Sequence, residues 1–548
     1  MGKRAWRYAP FLAWPFVAAV AVAFRVPLAI DETRYLTVAW EMYSRGDWLV
    51  PHLNGDFYTH KPPLLFWMIL IGWKAFGVSE WWPRLVPALV GLAAWGFLWR
   101  LARRLWPQVE DVPPLAVILT GGMLVWAVTS TLIMFDLLLT ACVLLGILGL
   151  ARAGADDARG WWLFGLGLGL GILAKGPVAL LQLLLPAALG PVWSAVARAR
   201  PGAWYLRLGG GFLLGAAIAL AWVVPAAIAG GEEYSRMILW NQTADRLAQS
   251  FAHQRPFWWY LPLVPVMSLP WMLWRPALRG AKDAVLALEP GARFCLAWAL
   301  PVFLVFCVIS GKQPQYLLPL MPAVALLAAR GMATSYAMSY RAGRVVALLP
   351  LMAVAIAMIA SIWPGGDWHD GWLEEVHPAW TVAVCAVLAW AALPFRVSLI
   401  EGAARLHVAV ALSLALVTAA LLGSATGRPY GVGPAAAEVA ALQQQGLTVA
   451  YLGDYHGQLG FVGRLRDPLP ELRRPADLQA LAARDPSARV LVESRGNPLV
   501  AAPQLPSAAL AYRTGYWSIW EARQLVAHPG ILEAIRARGL RPEVESTE

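Results

Sequence analysis

The chain has 548 residues, is 59% hydrophobic and only 14% charged, where a soluble domain is about half apolar and about a quarter charged. Its mean hydropathy of +0.56 and its 30 tryptophans, a residue that collects at membrane–water interfaces, exclude an ordinary soluble enzyme and define a polytopic membrane protein. The net charge of +11 would point to nucleic acid in a soluble chain; here it reads as topological, carried by cytoplasmic loops, and no nucleic-acid partner is expected.

Apolar runs of about 17–25 residues span a bilayer. Roughly thirteen are present, at 10–30, 82–105, 113–128, 132–151, 161–175, 178–192, 208–229, 257–274, 289–309, 316–329, 345–363, 378–394 and 406–423. The first has no small-residue cleavage pattern after it and reads as a retained helix. The run at 63–78 follows Pro62-Pro63 and carries Lys74, which reads as an interfacial or re-entrant helix. Basic residues recur in every second loop: Arg7, Arg103, Arg152, Arg200, Arg279, Arg341 and Arg396 mark one side, which the positive-inside rule makes cytoplasmic. The opposite side holds loops 31–81 and 230–256, and the chain from 425 onward. In that last stretch Val449-Ala450-Tyr451-Leu452 and Val490-Leu491-Val492 alternate with helical patterns at 434–445 and 475–484, the signature of a small α/β domain. The expected fold is therefore an all-α polytopic membrane domain over 1–424, of about 13 transmembrane helices, with an α/β domain over 425–548. Cys142, Cys295, Cys307 and Cys385 have no metal spacing and read as small core residues.

The most polar stretch follows the first apolar run. Asp31, Arg34 and Tyr35 are spaced to share a helix face, and the stretch ends on Tyr58, His60 and Lys61, with Pro62 and Pro63 behind the lysine. Other ionisable residues fall on the same side: Asp136 just inside a span, Lys175 at a helix end, Arg246, His253 and Arg255 in one loop, and Lys312 with Tyr316 in another. Ionisable groups beside hydrocarbon are costly and mark functional sites, and clustered cations suit a phosphate. The bland alternatives are a capped surface helix for Asp31 and Arg34, snorkelling for Lys175 and Lys312, and structural roles for the histidines. Gly165 to Gly171 alternates glycine with leucine inside a span, which favours close helix packing. No phosphate-binding glycine loop is present, so energy from ATP is unsupported and an external enzyme needs a pre-activated substrate, such as a polyprenyl phosphate sugar.

Asp31-Glu32-Thr33-Arg34-Tyr35, the segment GDWLVPH at 46–52, Lys61-Pro62, Asp136, Lys175-Gly176, Arg255-Pro256-Phe257-Trp258, Ser268-Leu269-Pro270-Trp271 and Gly311-Lys312 together resemble the lipid A 4-amino-4-deoxy-L-arabinose transferases. These belong to the GT-C class of integral-membrane glycosyltransferases. The resemblance covers the membrane part well and the C-terminal domain weakly. It implies an undecaprenyl phosphate-linked sugar donor, a lipid A acceptor and an active site facing the periplasm from a Gram-negative inner membrane. It also implies resistance to polymyxin and other cationic peptides. Lys61, Arg34 and Arg246 would hold the carrier phosphate, and Tyr35 and Tyr58 the carrier or sugar. Asp31 and Asp136 would position the sugar amine or acceptor, with Lys175, Arg255, Lys312 and Tyr316 as further binding residues. His60 stands where family members often carry glutamate, and Asn241 where they carry histidine. No cofactor is required by this pattern, while a divalent ion such as zinc, with His60 as ligand, is compatible with it. A GT-C enzyme with a protein or glycan hydroxyl acceptor, and a non-catalytic transporter of a lipid-linked sugar, are the alternative readings.

Overall fold

The structure, a computed structural model, describes residues 5–238, 254–334, 344–361, 377–393, 398–423, 430–494, 506–513 and 515–528. Arg246, His253, Asn241, Arg341 and Arg396 lie outside them. The chain forms two compact units, Met1–Arg25 with Thr59–Leu421, and Val26–Tyr58 with Leu422–Glu548.

The first unit is helical. Among the described residues, seven helices are long and apolar enough to cross a membrane: Ala5–Phe24, Trp81–Leu105, Phe135–Ala153, Pro201–Arg236, Pro290–Val308, Pro314–Thr334 and Leu399–Leu422. Six shorter apolar helices accompany them, so the chain is a multi-pass membrane protein. Each run expected to span coincides with helical structure, but several are broken. The run at 113–128 is two helices, Val112–Gly121 and Leu124–Thr129, parted by extended backbone at Met123. The run at 257–274 is divided into Phe257–Trp259, Tyr260–Met267 and Trp271–Leu273, and Pro270 in the second gap brings no N–H to a helix. Leu64–Phe76 has 13 residues, about 20 Å at 1.5 Å per residue, short of the roughly 30 Å hydrocarbon core.

Glycine sets the helix spacing. A Cβ on Gly167 would stand 2.5 Å from the backbone N of Gly146, and one on Gly149 would stand 2.5 Å from that of Phe164. The helices Phe135–Ala153 and Arg159–Lys175 thus meet backbone to backbone, as small residues allow in lipid. On the other edge Gly165 lies against Gly211 and Leu214 of Pro201–Arg236.

The second unit holds two sheets. β1 (His52–Leu53) and β2 (Asp56–Phe57) form a hairpin. Its turn is Asn54-Gly55, both with positive φ (56° and 91°), the conformation a two-residue hairpin turn demands. The larger sheet contains β3 (Val449–Leu452), β4 (Glu471–Leu472), β5 (Arg489–Ser494), β6 (Ala508–Tyr512) and β7 (Gly515–Glu521), in the order β4-β3-β5-β7-β6. β3 is parallel to β4 and β5, whereas β7 is antiparallel to β5 and β6. Side chains alternate across it: Val449, Tyr451, Leu491, Trp517 and Ile519 join Val439 and Leu442 on one face. Ala450, Val490, Val492 and Trp520 join Leu478, Leu481 and Leu525 on the other. That alternation has the strand period of two.

The segment Val26–Tyr58 is part of this unit. Its helix Asp31–Arg45 is fixed by Thr37, whose buried hydroxyl donates to Gly457 O (2.6 Å) and accepts from Phe461 N (3.0 Å). The Asn54 amide donates to Leu469 O and its carbonyl accepts from Leu469 N. The Glu41 carboxylate accepts from the N–H groups of Asn54 and Gly55. Burial pushes the Glu41 carboxyl above its usual range, against the pull of those two N–H donors.

The helix seam gives a direct test. Gly167→Val should destabilise the purified protein by at least about 2 kcal/mol, because the obstructing atoms are backbone. Gly209→Ala, where a Cβ meets nothing within 4 Å, should be neutral or slightly stabilising. Thermal unfolding in detergent checks both, and equal effects would dismiss the seam.

Candidate active site

Helices Phe135–Ala153 and Arg159–Lys175 are consecutive and antiparallel neighbours, so the start of the first adjoins the end of the second. Extended backbone at Met134 (φ −135°, ψ 155°) starts the first. Gly176 (φ 75°) ends the second at once after Lys175, a conformation glycine adopts without a Cβ clash. Asp136 thereby sits in a first helical turn and Lys175 in a last one, each complementing its own helix dipole. Their side chains form a direct ion pair, 4% and 12% exposed. The Lys175 ammonium also lies 4.7 Å from the ring centroid of Tyr316, within cation–π range.

Lys61 approaches the same helix start. It is half-buried, with Pro62 and Pro63 buried behind it, and its ammonium is 6.0 Å from the ring centroid of Phe135, the residue before Asp136. Phe66 packs edge-on to Phe135 at 5.5 Å. Phe135 was not singled out in the sequence, although its place beside Asp136 pointed to it.

A second group joins two loops of this unit. Gln254 pairs with Gly311, and Arg255 N donates to Ser310 O (3.1 Å). Lys312 is 2% exposed, and its ammonium donates to the carbonyls of Arg255 (3.1 Å) and Ile309. The Tyr260 hydroxyl donates to Gln313 O and accepts from Gln313 N. Lys312 thus staples the two segments, Arg255 stays exposed with its guanidinium 5.7 Å from the Trp259 ring, and Tyr316 links this group to Lys175. Tyr260 and Gln313 were not anticipated; nothing in their local sequence marks the pairing.

Asp31, Arg34, Tyr35 and Tyr58 belong to the second unit. Asp31 is the first residue of its helix, exposed, with no side-chain capping bond at that terminus. Arg34 is half-buried, and its Nε has no hydrogen-bond partner among the described residues. Tyr35 and Tyr58 are buried, at 5% and 3% exposure. His60 is exposed in the first unit. Among the described residues no group of three or more His, Cys, Asp or Glu side chains converges, so an ion held by His60 would draw its other ligands from elsewhere.

The helical array is that of a polytopic GT-C membrane protein. It matches the crystal structure of ArnT from Cupriavidus metallidurans in the apo state with a TM-score of 0.72 at 20% identity, covering 96% of this chain and 99% of that one. The structure of the same protein bound to undecaprenyl phosphate matches with a TM-score of 0.71 at 22% identity, covering 94% and 98%. At these identities the likeness carries the fold. Residues 60–228 match the dolichyl-phosphate-mannose-protein mannosyltransferase family. An undecaprenyl phosphate-alpha-4-amino-4-deoxy-L-arabinose arabinosyl transferase from Aeromonas salmonicida is 31% identical over 380 residues, 67% of each chain. One from Edwardsiella ictaluri is 33% identical over 306 residues, 55% of this chain and 54% of that one. The matched stretch thus spans about half the length of some of these relatives. The chain belongs to the undecaprenyl phosphate-α-4-amino-4-deoxy-L-arabinose arabinosyl transferase family.

The ion pair can be separated from the fold by a double-mutant cycle. Asp136→Leu and Lys175→Met should each destabilise the protein by about 3–5 kcal/mol, since each leaves a buried charge alone. The double variant should recover much of that loss. Strictly additive losses in thermal unfolding would mean that the two residues are energetically independent.

Proposed function

We propose that the chain transfers 4-amino-4-deoxy-L-arabinose from undecaprenyl phosphate to a phosphate of lipid A, at the periplasmic face of a Gram-negative inner membrane. The added amine offsets phosphate charge and so lowers the affinity of polymyxin and related cationic peptides. The observation that carries this reading is the water-poor cation site of Lys175, Asp136 and Tyr316, with Lys61 on the same helix start, in a chain of this family.

The chemistry follows from charge. The bond from the sugar's anomeric carbon to the carrier phosphate oxygen breaks, and its electron pair stays with that phosphate. An oxygen of the acceptor phosphate forms the new bond to carbon. That oxygen is already ionised at neutral pH, so no general base is needed. The demand falls on the leaving phosphate, whose negative charge grows in the transition state and is stabilised most by fixed cations in a low-dielectric site. Lys61 supplies one, pre-placed by the prolines behind it. Lys175 supplies a second, which Asp136 keeps compensated until an anion arrives. Arg255 and Arg246 add guanidinium donors suited to phosphate, and Lys312 holds the Arg255 backbone in place. Arg34, Tyr35 and Tyr58 are assigned to the carrier or sugar, and Asp31 to the sugar amine.

Mass spectrometry of lipid A tests the reading in a host lacking its own transferase. The wild-type chain should add the aminoarabinose mass. Lys61→Ala should lose at least about two orders of magnitude in transfer rate, as when one oxyanion donor is removed. Lys61→Arg should retain part of the rate, since it keeps charge but changes head-group shape. Unmodified lipid A with the wild type would refute the function, and normal transfer by Lys61→Ala would reduce Lys61 to an interfacial anchor.

The orientation is tested separately. Alkaline phosphatase fused after residue 528 should be active only if exported, as the alternation of basic loops requires. An inactive phosphatase there, with a cytoplasmic reporter active at the same position, would reverse the assignment.

A further inference from the structure

The second unit contains a cavity of about 500 Å³, within the range of small-ligand sites. It lies wholly inside that unit and has no part in the site built around Lys175. One wall is the helix Asp31–Arg45, through Trp40, Tyr43 and Arg45 among others; the other is the stretch after Gly460, through Arg466 and Asp467.

The wall is fixed before any ligand arrives. Trp40 Nε1 donates to Leu465 O at 2.8 Å, and the Tyr43 ring stacks on Trp40 at 6.4 Å with 18° between planes. Asn54, which also lines the cavity, spends both ends of its amide on the Leu469 backbone. Such a wall loses little freedom on binding. Its polar atoms are not all committed. Arg466 is exposed and makes no ion pair among the described residues. Arg45 holds only a long contact to Glu41, at 3.4 Å, with its side chain 40% exposed, and pairs of that kind contribute little.

The chemistry is thus two adjoining aromatic rings, two guanidinium groups, one from the helix and one from the stretch after Gly460, and a rim of carboxylate, amide and hydroxyl. Aromatic rings with polar tips suit a ligand that is apolar on one face and wet on its edges. Two guanidinium groups suit a phosphate, which each can bind through paired donors. We infer that this cavity is a binding site for a phosphorylated saccharide, its ring laid on Trp40 and Tyr43 and its phosphate taken by Arg45 and Arg466. The inference rests on the cavity alone and does not depend on the transfer reaction.

Saturation-transfer NMR on the full chain in phosphatidylcholine nanodiscs tests it, with glucosamine 1-phosphate as probe and glucosamine and inorganic phosphate as controls. The sugar phosphate should bind more tightly than either control. Arg466→Gln should weaken it roughly tenfold, the size expected for one charged hydrogen bond, and Arg466→Lys should restore part of that. Because Arg466 is exposed, these variants should fold, which a matching thermal profile confirms. Nanodiscs containing lipid A distinguish the source of the ligand: displacement of the probe assigns the site to a lipid head group, and no displacement assigns it to a soluble sugar phosphate. Binding no better than the controls, or equal in wild type and Arg466→Gln, would overturn the proposal.

Discussion

A carboxylate and an ammonium in one buried contact, Asp136 with Lys175, set the terms for the membrane unit. Removing two charges from water costs more than their attraction commonly returns, so such a pair is weak evidence for stability. It persists here because the surroundings force it. Gly176 stops one helix directly after the lysine and extended Met134 starts the other directly before Phe135-Asp136, while Gly146, Gly149 and Gly167 let the two backbones approach. Each of these features is unfavourable or neutral for a helix in isolation; together they place two opposite charges at one end of a helix pair. A charge pair maintained at that cost beside apolar helices is the feature on which the proposed carrier-phosphate site rests.

The second unit shows a different constraint. The segment Val26–Tyr58 has a short helix and a hairpin of two-residue strands, and an isolated hairpin is marginal in water. Its polar groups find partners over 400 residues away: Thr37 with Gly457, Asn54 with Leu469 and Trp40 with Leu465. The α/β domain is therefore a platform that gives the helix beginning at Asp31 a defined surface. The large sheet has its own core on both faces, yet Ala29 packs against one of them and the N–H groups of Phe461 and Leu469 donate to Thr37 and Asn54, so the satisfaction is mutual.

Much of this was legible in the sequence, for physical reasons. Long apolar runs report spans because bilayer thickness fixes their length. Val449–Leu452 and the helix Pro475–Arg484 were visible because local periodicity reports local structure. The GLGLGLG stretch declared a packing seam because only small residues permit one. What was not legible depended on partners distant in sequence. Neither the pairing of Lys175 with Asp136 nor the two backbone carbonyls that hold the Lys312 ammonium could be read from the residues flanking either lysine. The union of 26–58 with the C-terminal domain was missed, although Asn54-Gly55 is a strong hairpin signal, because a hairpin signal does not say what the hairpin packs on. The breaks at Met123 and Pro270 were missed because hydropathy averages over them.

The two buried lysines near Tyr316 are alike in sequence context and opposite in electrostatics. Lys175 faces a carboxylate, so its charge is compensated, and an anion that took over its contact would add negative charge beside Asp136. Lys312 faces neutral carbonyls, which accept its hydrogen bonds but leave its charge standing. A committed ammonium of this kind is a poor direct ligand, because an incoming phosphate would have to displace two hydrogen bonds. It is an effective fixed source of positive potential, since that potential acts through a low-dielectric interior without any contact. One cation in a compensated pair and one held on carbonyls would suit the proposed site, which must first accept an anion and then stabilise the growth of charge on it. The first task needs a donor free to change partners, and the second needs a field that does not reorganise.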